Sequence, residues 1–360
     1  MSNPMLIPRY LGGKSDEKKY RVWDGATYDL AYIPFGGSLR WTIKALQRGW
    51  IKSARVADSD PAVRAVYDVW QTQEPTWSDN RLYQRHNSRI QCYLQDFIDE
   101  ILLATQTPSE LFADLKNIID SKGEGVNTTE YAAAKILLHQ FVHGGNVRCN
   151  EKGMLNVSPR TDKPDWSKWL KNYSYDLPWY SPRWGVEVFD DWTKVFVPTP
   201  KLKTIAFIDP PYSAPGPGQR SGGIGMSKAY ANNGGNPNDP ALLEMHKGAV
   251  LAAIDVDCDR IVATNYHGHW LQSIEYDGDG VPHVVNQQWI QYEEIAKFMQ
   301  SLGFYFHDLG PLQGCTNRKP EPKNAGKKTK RAVRHEGWWE MGGVRQHGQV
   351  DQLSLLEVAA

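Results

Sequence analysis

The chain has no excess of either charge: its 360 residues include 41 Lys and Arg against 41 Asp and Glu. Affinity for a polyanion therefore has to come from local patches rather than from the overall field. Cysteine is scarce, and Cys92, Cys149, Cys258 and Cys315 match neither a disulfide framework nor zinc-site spacing. A reducing, cytoplasmic setting is the expectation. No run approaches the roughly 18 apolar residues that span a bilayer, so no membrane is expected. The opening Met1-Ser-Asn-Pro-Met-Leu-Ile-Pro8 lacks the apolar core of a secretory signal. An internal repeat is also missing. Aromatic residues, by contrast, are plentiful: 14 Trp, 17 Tyr and 10 Phe. They supply enough apolar area to offset chain entropy, which excludes disorder over most of the length. The length fits one large domain or two coupled ones.

Apolar runs and turn residues alternate along much of the chain. Leu30-Ala-Tyr-Ile-Pro-Phe35 broken by Gly36-Gly37 reads as a strand entering a tight turn, and Ala54–Asp58 as a buried strand ending in an acid. Pro61 opens a helix running to Trp70. Helical spacing recurs near 88–120 and 129–143. Thr204-Ile-Ala-Phe-Ile208 is a strand ending in Asp209-Pro-Pro-Tyr212. Residues 213–240 hold seven Gly, four Pro and four Asn, a long loop of the kind usually tied to function. A helix near 241–254, a strand at Arg260–Thr264 and a helix near 291–302 complete a βα alternation. The expected fold is α/β: a doubly wound, Rossmann-like sheet with helices on both faces. A helical insert is expected at 72–185.

Asp209-Pro210-Pro211-Tyr212 carries the sharpest chemistry, because open α/β sheets place their ligand crevice at the carboxyl ends of strands. An amino group on an aromatic ring is a poor nucleophile, since its lone pair is delocalised into the ring. A carboxylate and a backbone carbonyl that accept its N–H bonds draw it toward tetrahedral geometry and stabilise the developing positive charge. Asp209 offers the carboxylate and Pro210 a carbonyl without a competing N–H. The prolines stiffen the turn, and Tyr212 offers a stacking face. The plain alternative is a Pro-Pro strand terminator with a capping Asp and a packed Tyr. Gly36 and Gly37 permit close backbone approach to a ligand. Asp58 suits a bidentate contact to two ribose hydroxyls, its alternative being a surface carboxylate that caps the next helix.

Five blocks in order resemble the Dam-type DNA adenine-N6 methyltransferases, over most of residues 5–340. They are Arg9-Tyr-Leu-Gly-Gly-Lys14, Pro34-Phe-Gly-Gly37, Ala57-Asp-Ser-Asp60, Gly145–Val157 and Asp209–Tyr212. The resemblance implies a fold that binds S-adenosylmethionine, made of 1–71 and 186–342, with 72–185 as the helical target-recognition domain and 343–360 as a tail. Tyr10, Gly13, Lys14, Pro34, Phe35, Gly36, Gly37, Ser38, Asp58 and Asp209 would line the cofactor site. Asp190 and Asp191, in Phe189-Asp-Asp-Trp192, stand where the family has an Asp-Phe pair near the cofactor adenine. Asp209, Pro210, Pro211 and Tyr212 would be catalytic. Two positions depart from the pattern. Ile33 replaces an acid before a glycine turn one residue shorter than usual, and Ser158-Pro159-Arg160 follows Asn156-Val157 where Pro-x-Gly is expected. The GATC specificity of the best-known members does not carry over.

Arg148 and Asn150 are of the types that read guanine and adenine edges, and Asn156 and Arg160 join them as expected DNA-binding residues. Polar residues tying a hairpin to itself are the rival reading. From Arg318 to Arg334, eight of 17 residues are basic, including Lys327, Lys328, Lys330 and Arg331. Such a run suits phosphate contacts, or a solvated loop. His267-Gly-His269 beside Asn265 is too sparse for zinc, and no metal is expected. Gln352-Leu-Ser-Leu-Leu356 resembles the peptide by which bacterial replication proteins dock on the sliding clamp, or packs as an amphipathic tail. The expected activity is methyl transfer to N6 of an adenine flipped from duplex DNA, in a bacterial, plasmid or phage setting, alone or beside a cognate restriction endonuclease. Two alternatives stand: a DNA-binding protein on this fold that has lost catalysis, and methylation of RNA or of cytosine N4.

Overall fold

The computed structural model describes residues 24–72, 108–142, 183–210, 240–311 except 280 and 292, and 328–342, with Leu6, Ile7, Leu94, Met154, Leu155, Ser181 and Gly326. Tyr28–Ile33 forms β1 and Thr204–Ile208 forms β4, both nearly continuous apolar runs that are buried almost throughout. Strands of that kind need cover on both faces. Here the cover comes in two layers, sorted by the twofold period of the strands. Ala31, Ile33, Val56, Ile205 and Phe207 point into one core with helices α1 (Arg40–Gln47), α2 (Pro61–Gln71), α3 (Pro108–Asp120) and α4 (Thr128–Phe141). Leu30, Tyr32, Ala206, Ile208 and Ile261 point into the other, with α5 (Pro240–Asp255) and α6 (Glu293–Ser301). Trp41 of α1 lies flat on Phe207, with ring centroids 4.2 Å apart.

Among the described residues, eight strands form one sheet. The remaining six are β2 (Ile51–Ala57), β3 (Gly185–Phe189), β5 (Arg260–Tyr276), β6 (Pro282–Gln291), β7 (Tyr305–Pro311) and β8 (Lys328–Gly342). The order is β3-β2-β1-β4-β5-β8-β7, with β6 also on β5. The first five are mutually parallel, and β8 lies antiparallel between β5 and β7. This mixed, mostly parallel α/β sheet agrees with the expected doubly wound class. Strand order reverses at β1, whose neighbours are β2 and β4. A ligand crevice belongs at the carboxyl edge of that point.

Two expectations need correction. The strand expected at Arg260–Thr264 runs on to Tyr276 through the polar stretch Asn265–His269. Pairing carries it there rather than hydrophobic pattern: β8 lines one side throughout, and β6 takes over the other from Gly268. The basic run is not a loop throughout, because Lys328, Lys330, Arg331 and Arg334 sit on β8 opposite Glu275, Ser273, Gln272 and His269. Helices α3 and α4 fall in the stretch 72–185. Phe112, Leu115, Ile136 and Leu137 join the same core as Val56, Val63 and Tyr67.

At the opposite edge of the sheet, the side chain of Arg260 is only 2% exposed and is held by Glu340 at 2.9 Å, with Asp24 at 3.6 Å. Tyr28 donates to Asp24, and His307 contacts Glu340 at 2.8 Å while stacking on Trp338. Burial alone would raise the Glu340 pKa, but the His307 hydrogen bond and the Arg260 charge outweigh it and hold the carboxyl below its usual value.

Candidate active site

β1 ends in Pro34-Phe35, and the chain turns back through Gly36 and Gly37 before α1 begins. Gly37 takes φ 52°, which favours glycine, while Leu39 accepts φ 53° to start the helix. Gly36 has a different reason to be glycine. A Cβ there would stand 2.6 Å from both Tyr67 Oη and Val56 Cγ1. The Gly36 N–H donates to the Ala57 carbonyl at 2.7 Å, sealing the turn against the end of β2. Tyr67, on α2, donates its hydroxyl to the Gly37 carbonyl. The turn is thus held from two sides.

Asp58 follows β2 and reaches across to this turn. Its Oδ2 accepts the Gly37 N–H at 2.9 Å and its Oδ1 accepts the Asp60 N–H at 2.9 Å. Its own N–H donates to the Phe189 carbonyl, and Arg64 donates to its carbonyl. The residue as a whole is half-buried. Burial and then the neighbouring Asp60 charge push its pKa up to about 6. The alternative of a helix-capping Asp58 is not what the structure shows: the cap of α2 is Asp60, whose side chain accepts from Ala62 N–H. Each Asp58 oxygen keeps a lone pair, so the acid can still accept from vicinal hydroxyls.

Asp209 leaves the carboxyl end of β4 beside β1. The β4–β5 register pairs Ile208 with Ala263, which sets Asp209 level with Thr264. The fully buried Thr264 donates its hydroxyl to Asp209 Oδ1, while Asp209 itself is partly exposed and Pro210 buried. One oxygen is therefore occupied and the carboxylate is fixed in orientation.

The ends of β3 add Asp190 and Asp191, both exposed. Asp190 pairs with Lys194 at 2.6 Å, and that hydrogen bond lowers its pKa. Asp191 caps the single 3₁₀ turn Trp192–Val195 through Thr193. Trp192 lies 6.4 Å from the ring of Phe35, so an aromatic pair flanks the glycine turn. Pro34–Ser38, Asp58 and the Phe35–Trp192 pair meet at one edge, with Asp209 on the adjoining strand. Tyr10, Gly13, Lys14, Arg148, Asn150, Asn156, Arg160, Pro211, Tyr212, Lys327 and the tail at 352–356 lie outside the described residues.

Sequence reasoning missed Thr264 and Tyr67. Thr264 was findable as the last residue of an apolar strand level with Asp209. Tyr67 gave no signal, since only the fold brings it 30 residues back to Gly37.

The edge has the donor set that a nucleoside-bearing cofactor needs: an acid for hydroxyls, flat aromatic faces for a base, and a glycine turn. No helix among the described residues is long and apolar enough to cross a membrane. Comparison with protein-family models and with curated proteins finds no match for this chain.

Proposed function

We propose that this chain is a DNA methyltransferase acting on N6 of adenine in duplex DNA, with S-adenosylmethionine as methyl donor. The observation that carries the reading is the position of Asp209. It lies at the carboxyl end of β4, one strand from the glycine turn and two from Asp58, with one oxygen tied to Thr264. An acid so oriented presents its second oxygen to an incoming amino group. Pro210 adds a backbone carbonyl with no competing N–H.

When bound, S-adenosylmethionine supplies the methyl group. Asp58 would accept the ribose hydroxyls, and Phe35 with Trp192 would pack against the adenine of the cofactor. Asp209 and the Pro210 carbonyl would accept the two N–H bonds of the target amine and stabilise its developing charge. The amine attacks directly, so no covalent enzyme adduct is needed. Orientation and electrostatic stabilisation supply the acceleration. The target adenine must leave the stack, because N6 is engaged in pairing. Duplex DNA is the proposed partner, held in part by the basic positions of β8. A sliding clamp bound through Gln352–Leu356 is a further proposed partner.

Single-molecule sequencing of DNA from methylation-free cells that express the chain tests the reading. N6-methyladenine at a fixed motif is expected. Methylation at cytosine N4 would move the activity to the alternative base. DNA binding without any modified base would leave a non-catalytic DNA-binding protein.

A further inference from the structure

Lys135 lies on α4, far in sequence from the crevice, yet its side chain is only 4% exposed and its Nζ sits 2.7 Å from Asp60 Oδ2. Burying an ammonium is costly unless it is paired, so this ion pair has to serve something. Asp60 is the link. Its other oxygen caps α2 at Ala62, and its N–H donates to Asp58 Oδ1. Asp58 in turn holds the Gly37 N–H through Oδ2. An unbroken chain of contacts thus runs Lys135–Asp60–Asp58–Gly37, from a helix of the expected recognition insert to the glycine turn.

We propose that Lys135 is a positioning residue for the crevice acid: through Asp60 it fixes the charge and geometry of Asp58, and so the readiness of the site for its nucleoside ligand. The ligand part rests on the methyltransferase reading; the effect on Asp58 does not.

Asp58 and Asp60 place two carboxylates two residues apart in a crowded site. Like charges so placed resist joint ionisation. Burial would raise Asp60, but the Lys135 charge and hydrogen bond overcome it and keep this acid ionised. Lys135 also acts directly on Asp58, easing its ionisation against burial and the Asp60 charge. The other charged and titratable groups around the pair are Arg64 and Tyr67 of α2 and Tyr131 of α4. Arg64 donates to the Asp58 carbonyl, Tyr67 donates to Gly37, and Tyr131, pushed up to about 12 chiefly by burial, stays neutral. Lys135 is the cation that contacts a carboxylate of the pair in the described structure.

The test compares wild type, Lys135→Met, Lys135→Arg and the double variant Lys135→Met/Asp60→Asn, all as full chains. Carbon-13 NMR titration of the aspartate carboxyls follows Asp58, and calorimetry with S-adenosylhomocysteine between pH 5.5 and 8 follows ligand binding. Lys135→Met should move the Asp58 midpoint upward and weaken binding at pH 7 about tenfold, with recovery at higher pH. Lys135→Arg should restore both readouts. The double variant removes the like charge along with the cation, so it should return the Asp58 midpoint toward wild type, and it serves if the single Met variant does not fold. An unchanged midpoint, or a loss of binding equal at every pH and not rescued by Arg, would overturn the proposal. If wild type does not take up S-adenosylhomocysteine, the methyltransferase reading fails, and the carboxyl titration still decides the role of Lys135.

Discussion

Thr264 donates its hydroxyl to Asp209 across the seam between β5 and β4, and one face of the carboxylate is thereby spoken for. That bond fixes how the carboxylate is turned, and the proposed chemistry depends on its orientation. Removing the partner should therefore act on chemistry rather than on cofactor binding. Thr264→Val keeps the shape but frees Asp209 to rotate, and kcat should fall about tenfold to a hundredfold with S-adenosylhomocysteine affinity unchanged. Asp209→Asn should cost more, about 10²–10³ in rate, because the anionic acceptor itself is lost. Single-turnover methyl transfer with tritiated donor measures both, and near-normal turnover of the Asn variant would remove Asp209 from the mechanism.

Asp58 carries a pH signature. Its folded pKa, near 6, lies above the ordinary carboxylate value of 3.8, so ionisation opposes folding. Its contribution to stability is therefore largest at low pH and is lost as pH climbs from about 4 through 6. Ligand binding has the opposite sign, since hydroxyl donors prefer the anion. Affinity for S-adenosylhomocysteine should rise between pH 5 and 7 with a midpoint near 6. Calorimetry across that window with a flat profile would reject the ribose role. Asp58→Ala should weaken binding and also destabilise the chain by about 1–3 kcal/mol, because two backbone N–H groups lose their acceptor.

Gly36→Ala should be tolerated poorly. The added methyl meets the Tyr67 hydroxyl and the Val56 side chain. Overpacking of this kind costs about 1–3 kcal/mol. Denaturant unfolding should show that loss, and double substitution with Tyr67→Phe should recover it only in part, since it removes the hydroxyl clash but leaves Val56 Cγ1 in place.

Glu340→Ala should destabilise by about 3 kcal/mol, for it strips the nearest acid from the buried Arg260. The lowered pKa of Glu340 implies stability that is present above its unfolded value near 4.5 and lost as pH falls through the acidic range. Thermal melts of the wild type at pH 7 and pH 4 should differ, and the gap should narrow in the Ala variant.

Neutralising Lys327, Lys328, Lys330 and Arg331 together should weaken all DNA sequences alike. The slope of log affinity against log salt should flatten by about 0.9 for each phosphate contact removed. A change confined to one sequence would mean base reading instead.

The strands at the heart of the sheet were legible because each is a short apolar run that ends in a turn residue: Leu30–Phe35 before Gly36, and Thr204–Ile208 before Asp209. The glycine turn and Asp209 were legible as residues at strand ends. β6, β7, β8 and the far half of β5 were not. Their residues, such as Asn286-Gln-Gln and Lys328-Thr-Lys-Arg331, carry no apolar period, and the ladder of neighbouring strands is what orders them. The Asp60–Lys135 contact was equally hidden, as 75 residues separate its partners and Lys135 sits in no motif.

β5 is a single member shared by two structures. Its first residues pair with β4 and bring Thr264 to Asp209, and the rest is the central rib of an antiparallel ribbon flanked by β6 and β8. The basic positions on β8 are therefore paired to the same strand that carries Thr264, the residue that holds Asp209. A load placed on the ribbon by a large polyanion would be felt at Thr264 as torque, with no hinge between them except the register slip at Tyr266/Gly268. Grip and aim would then be set by the same beam, and stiffening or slackening that slip would retune both at once.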